Sequence, residues 1–227
     1  METCKRTAVT GVTFRYAATI INNDDALAGG DTRKDFRIDI LAYRNEADAE
    51  NGKFTPVGEA SISVFDVHFL RTSLESHEDM RYELSEYGPD TGALGYILFD
   101  QYGDFSKGYI SRIRTLSRGL IDEYNIDEIN RIAIIKRRVT FPQYRGNNIT
   151  KLFYENVMET LNCDLLVTRP FPLQYEGLKP DKKPKKDEFG LTYTQACKKI
   201  QNHYRKAGMR TLKGPWMCML AEKYILQ

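Results

Sequence analysis

The chain has 227 residues, 41% hydrophobic and 28% charged, with a formal net charge of +2. That length is ample for a hydrophobic core, and no apolar run is long enough to span a bilayer. Residues 1–16 contain no apolar stretch of the kind a secretory leader needs, and the four cysteines (Cys4, Cys163, Cys197, Cys218) are scattered without metal-ligand spacing. A cytoplasmic, reduced protein of one domain spanning 1–227, with no membrane partner, is the expectation.

Taken in chain order, the first third reads as strands. Val12 to Ile21 alternates imperfectly, and Lys34 to Arg44 alternates well through Phe36, Ile38, Ile40 and Ala42. A polar loop, Asn45 to Lys53, precedes a further strand from Pro56 to Leu70, so the last two strands form a hairpin. From about Arg71 the period changes. Gly88, Pro89, Gly92 and Gly95 mark a turn-rich connection, and Ser106 to Tyr124 places Ile110, Ile113, Leu116, Leu120 and Ile121 on one helical face. A strand rich in β-branched residues follows over Arg131 to Thr140. Ile149, Leu152, Phe153 and Val157 recur at helical spacing after it, then come a short strand, Cys163 to Thr168, and a helix from about Thr194 that stops at Gly208. Cys163 and Cys218 lie in apolar strand patterns and read as small core residues. Between the last strand and helix, Thr168 to Gly177 is apolar with two prolines, and Gly177 to Gly190 is a lysine-dense, Pro-broken mobile loop.

Charge is divided unevenly. Residues 1–129 hold 14 Lys+Arg against 23 Asp+Glu, and residues 130–227 hold 19 against 8, giving −9 and +11. The basic half suits a polyanionic ligand and the acidic half an amine. The three histidines, His68, His77 and His203, are too dispersed for a metal site and pair with no Ser or Cys nucleophile. Structural roles are expected for all three, and no metal is implied.

The segment from Pro142 to Phe153, PQYRGNNITKLF, carries the strongest signal. It is a glycine-containing turn that leads from the apolar strand into the amphipathic helix. A helix N-terminus offers unpaired N–H groups and the positive end of its dipole, and a glycine there lets a phosphate approach the backbone. Arg145 adds a positive charge.

This segment resembles the acyl-CoA-binding motif of the GNAT acetyltransferase superfamily, Gln/Arg-x-x-Gly-x-Gly/Ala, with Gln143 and Gly146 in the first two signature positions. Pro142, Tyr144 and Arg145 are its familiar neighbours. Asn148 departs from the expected Gly or Ala, although Asn tolerates left-handed backbone. Downstream, Tyr204, Gly208 and Met209 are similar to the family's Tyr-x-x-x-Gly-Phe. The resemblance spans roughly residues 130 to 221. It implies a mixed, mostly antiparallel central α/β sheet flanked by helices, with the cofactor in a splay between two strands. The family places helices before the hairpin, whereas here residues 71–124 read as a helical insertion ahead of the motif strand, shaping the acceptor site.

The implied chemistry is acetyl transfer from acetyl-CoA to a primary amine by direct attack. Backbone groups of Val139, Thr140 and Phe141 would hold the thioester. The pyrophosphate would lie on Gln143, Arg145, Gly146, Asn147, Asn148, Ile149 and Thr150, and Tyr204 would protonate the leaving thiolate. No Glu occupies the motif strand, so the candidate general bases are Asp127 and Glu128 just upstream and Glu59 on the hairpin, with bulk water as the alternative. Acceptors consistent with this reading are an amine-bearing small molecule or a polypeptide. Two alternatives stand beside it: a non-catalytic CoA-binding or protein-interaction module on the same fold, and an RNA- or tRNA-associated acetyltransferase whose Lys182, Lys183, Lys185 and Lys186 meet nucleic acid.

Overall fold

The protein was analysed as a computed structural model that describes residues 7–19, 33–73, 79–176 and 190–225. Seven strands form one mixed sheet in the order β1-β2-β3-β4-β5-β7-β6. They are β1 (Gly11–Thr19), β2 (Arg33–Tyr43), β3 (Thr55–Asp66), β4 (Arg131–Thr140), β5 (Leu165–Thr168), β6 (Arg210–Lys213) and β7 (Trp216–Leu220). Every neighbouring pair is antiparallel except β4 and β5, which run parallel. A parallel pair needs a crossover, and α6 (Ile149–Thr160) provides it. The fold class is therefore the expected one: a mostly antiparallel sheet flanked by helices.

Alternation along the strands divides the buried side chains between two faces. On one face Ile38, Ile40, Ile62, Val64, Ala133, Ile135 and Leu166 pack against Phe153 and Val157 of α6 and against Tyr204 of α7 (Tyr193–Lys206). On the other, Phe65, Ile132, Ile134, Leu165 and Val167 pack against a layer of four helices. These are α2 (Val67–Ser73), α3 (Asp79–Glu86), α4 (Pro89–Leu98) and α5 (Lys107–Leu116), so helical material does lie between the hairpin and the motif strand.

Several boundaries differ from those read in the sequence. The third strand ends at Asp66 rather than Leu70, because the Asp66 carboxylate accepts from the Phe69 N–H and starts α2 there. The polar loop at 45–53 winds into a short helix, α1 (Glu46–Glu50), capped by Asn45. The Gly/Pro-rich stretch at 88–95 is no turn but the body of α4. Pro89 occupies its first turn, where a missing N–H costs nothing. Gly92 and Gly95 face α3, and a Cβ on Gly92 would lie 2.9 Å from that of Ser85. Those glycines serve close helix packing. The helix foreseen over 106–124 stops at Leu116, after which Arg118 and Gly119 take positive φ.

Cys163 and Cys218 are buried, and burial pushes both thiols up to about 12, as inert core residues require. Among the described residues no helix is long and apolar enough to cross a membrane. The lysine-dense loop at 177–190, apart from Gly190, lies outside the described residues, as do His77 and Cys4.

Candidate active site

The site is built on the C-terminal half of β4. Its pairing with β5 runs from Ile132↔Leu165 to Ile135↔Thr168 and stops there, while β4 continues five residues to Thr140. The Thr168 hydroxyl donates to the Ile135 carbonyl at 3.3 Å and closes the last rung. Just beyond it Lys136 is an extra residue in the β3–β4 register, since Ser61 pairs with Arg137 and Ile62 with Ile135. A bulge of this kind bends and twists a strand. From Lys136 to Thr140 the strand keeps β3 on one side and has no β5 partner on the other. The backbone of Val139 and Thr140 therefore borders a wedge between two parallel strands, and Phe141 sits at its end.

The turn at the end of the wedge holds two residues in left-handed backbone. Pro142–Tyr144 makes one 3-10 turn, anchored by buried Tyr144. Gly146 has φ 95°, a left-handed value that favours glycine, and Asn148 is left-handed at φ 55°, ψ 15°. Asn147 fixes the loop from within, donating to the Thr7 carbonyl at 2.9 Å and the Tyr144 carbonyl at 3.0 Å. The Gln143 carbonyl accepts from the Thr7 N–H at 2.8 Å. Arg145 is exposed, its Nε donating to the Thr140 carbonyl. Asn148 caps α6 through its backbone alone, with no side-chain hydrogen bond to the first turn. Ile149 and Thr150 are buried in that turn.

Tyr204 faces this region from α7. Its ring stands edge-on to Tyr154 of α6 at 5.7 Å, and the Arg138 guanidinium lies 5.6 Å over its face. The neighbouring His203 also belongs to the assembly. Its Nε2 is 2.8 Å from the Thr150 hydroxyl, which ties α7 to the first turn of α6. Burial lowers the His203 pKa, and the charges of Arg138 and Lys206 lower it further. The α7 helix begins in a capping box between Thr192 and Gln195.

The structure thus brings Val139, Thr140, Phe141, Gln143, Arg145, Gly146, Asn147, Asn148, Ile149 and Thr150 into one strand–turn–helix, with Tyr204 packed alongside α6. It does not bring Asp127 and Glu128 there. Both sit at the 3-10 turn Ile126–Glu128 ahead of β4, a strand length of about 30 Å from the Gly146 turn at roughly 3.3 Å per residue. Asp127 is exposed and paired with Arg71, and the Glu128 carbonyl accepts from the Tyr224 hydroxyl at 2.8 Å. Nearness in sequence misled here, because an extended strand separates its two ends. Glu59 does reach the open half, opposite Val139, where it pairs with Arg37 at 3.5 Å.

Arg138, Tyr154 and Thr168 were not singled out in the sequence, and His203 was read only as structural. The relation of Arg138, Tyr154 and His203 to Tyr204 comes from three separate elements meeting, which no local pattern encodes. Among the described residues no group of three His, Cys, Asp or Glu could hold a metal ion.

Comparison with protein-family models and with curated proteins finds no match. Among solved structures, an apo-form mutant of agmatine N-acetyltransferase is similar at 15% sequence identity, covering 82% of this chain and 74% of that one with a TM-score of 0.30. A likeness that slight carries no argument about function, which rests on the geometry above.

Proposed function

We propose that the chain is an N-acetyltransferase of one domain that moves an acetyl group from acetyl-CoA to a primary amine by direct attack. One observation supports this most: the wedge left where β5 stops pairing with β4 opens onto an α6 N-terminus whose loop carries Gly146 and Asn148 in left-handed conformations. Left-handed Asn148 supplies the backbone path that the missing glycine would have supplied, so the turn fits a pyrophosphate.

The residues divide the work by position. The turn from Gln143 to Thr150 offers N–H groups, the helix dipole and the Arg145 charge to the phosphates. The backbone bordering the wedge at Val139, Thr140 and Phe141 holds the thioester carbonyl and stabilises its oxyanion. The amine nitrogen forms a bond to the carbonyl carbon and loses its proton to water, directly or relayed to Glu59. The C–S bond breaks, its electron pair goes to sulfur, and Tyr204 supplies that sulfur with a proton. The α2–α5 layer shapes the acceptor side, the acceptor being a small amine or a polypeptide. The cytoplasm suits the unoxidised buried thiols of Cys163 and Cys218.

Calorimetric titration with acetyl-CoA tests the reading, with Gly146→Trp as control. Saturable binding by the wild type, lost in the variant, is expected. Absence of binding by folded wild-type protein would leave the fold as an interaction module.

A further inference from the structure

The open half of β4 carries three consecutive cations, and two of them are matched. Lys136 reaches Asp35 at 3.6 Å and Arg137 reaches Glu176 at 3.2 Å. Arg138 differs. It turns to the opposite face of the sheet, beneath α6 and α7, and among the described residues no carboxylate lies within ion-pair distance of it. Its guanidinium rests over the rings of Tyr154 at 5.9 Å and Tyr204 at 5.6 Å, and Nη1 donates to the Thr140 hydroxyl at 3.0 Å. Its Nε is buried without a hydrogen-bond partner. The wholly buried Tyr154 directs its hydroxyl toward Arg138 and Tyr204, without a hydrogen bond of ordinary geometry to either.

Such an arrangement is short of one anion. Arg138 is partly buried with no counter-charge beside it, and its cation–π contacts offset only part of the lost hydration. Its buried Nε–H also lacks an acceptor, and burial makes such a donor costly to leave unmade. A bound anion would satisfy the charge and this donor together. The phosphates already have the turn and Arg145, whereas Arg138 lies beside Tyr204 on the stretch of β4 that borders the wedge. The anion formed there is the thiolate.

We propose that Arg138 stabilises the sulfur anion of the departing CoA, an inference that rests on the acetyltransferase reading above. As the thioester C–S bond breaks, its electron pair stays on sulfur, and the guanidinium compensates that charge until the Tyr204 proton passes to it. Water then restores the phenol. Arg138 thereby touches a reacting atom, and Tyr154 orients it.

The test compares CoA, acetyl-CoA and desulfo-CoA (which lacks the thiol) by calorimetry at about pH 9, where an ordinary thiol is largely ionised. Wild-type protein is expected to prefer CoA over desulfo-CoA by about 10-fold or more, as a charge-assisted contact implies. In Arg138→Gln that preference should fall to about 2-fold or less, while acetyl-CoA and desulfo-CoA bind within about 3-fold of wild type. Arg138→Lys, which keeps the charge, should retain most of the preference and serves if the Gln variant does not fold. A wild type without thiol preference, or a Gln variant that keeps it, would overturn the proposal. Equal loss of all three ligands in the Gln variant would overturn it too, assigning Arg138 to packing or phosphates. A folded wild type that binds none of the three would instead sink the acetyltransferase reading, and this inference with it.

Discussion

The two halves of β4 are built for different ends. From Ile132 to Ile135 every side chain is buried, both edges are paired, and helices cover both faces. From Lys136 to Thr140 the sequence turns basic and polar, one edge is unpaired, and no side chain is fully buried. One strand thus carries a core and a site, and the division falls at a bulge. The first half fixes the strand's position so that the second can leave backbone groups unpaired without losing register. Unpaired backbone is tolerated at a sheet's interior only where solvent or a ligand meets it.

The closed half should be where substitutions cost most. At its start, Asp164 accepts from the N–H groups of Asn130 and Arg131 at 3.1 and 2.7 Å, and it pairs with Lys223 at 2.7 Å. Asp164→Ala should therefore cost about 2–4 kcal/mol in urea unfolding, since it strands two part-buried N–H groups and the Tyr224 hydroxyl. A loss under about 1 kcal/mol would show that the carboxylate does not pin the strand. Within the strand, Ile134→Ala should cost about 2–4 kcal/mol and Val139→Ala about 1 kcal/mol or less. Equal losses would erase the distinction between the halves.

The open half should show its effects in turnover rather than stability. Tyr204→Phe is expected to lower acetyl transfer by about 10–100-fold while leaving the urea midpoint nearly unmoved. Unchanged turnover would remove the proton-donor role. The smallest effect concerns His203, whose folded-state pKa lies below that of the unfolded chain because of burial, Arg138 and Lys206. Its contribution is present above the unfolded pKa and is lost as pH falls through the folded one. Wild-type stability should thus decline more steeply than that of His203→Asn between about pH 7 and about pH 5. Parallel profiles would show that His203 titrates alike in both states.

What could be read from the sequence followed how local each signal was. The β4 strand and the turn after it are legible because β-branched residues, glycine and the next helix's apolar spacing lie side by side. The α4 helix was hidden by glycines whose purpose, close contact of Gly92 with Ser85 and of Gly95 with Leu84 on α3, depends on a partner helix. The acids upstream of β4 looked close because sequence distance ignores strand length. Arg138, Tyr154 and His203 meet Tyr204 only after β4, α6 and α7 have packed. Tyr204 was singled out through its spacing to Gly208, which follows α7 at φ 102°.

The β3–β4 pairing carries a topological consequence. These neighbours are separated in the chain by about 60 residues, and closing so long a loop instead of a tight turn costs about 2–3 kcal/mol of chain entropy. Packing of the α2–α5 layer against the sheet helps offset that cost, which links the β3–β4 pairing to a helical layer remote from the wedge. The order of the open half of β4 and the cohesion of that layer are then coupled. A lesion between α3 and α4, far from the Gly146 turn, would then loosen that turn by weakening the hold of β3 on β4.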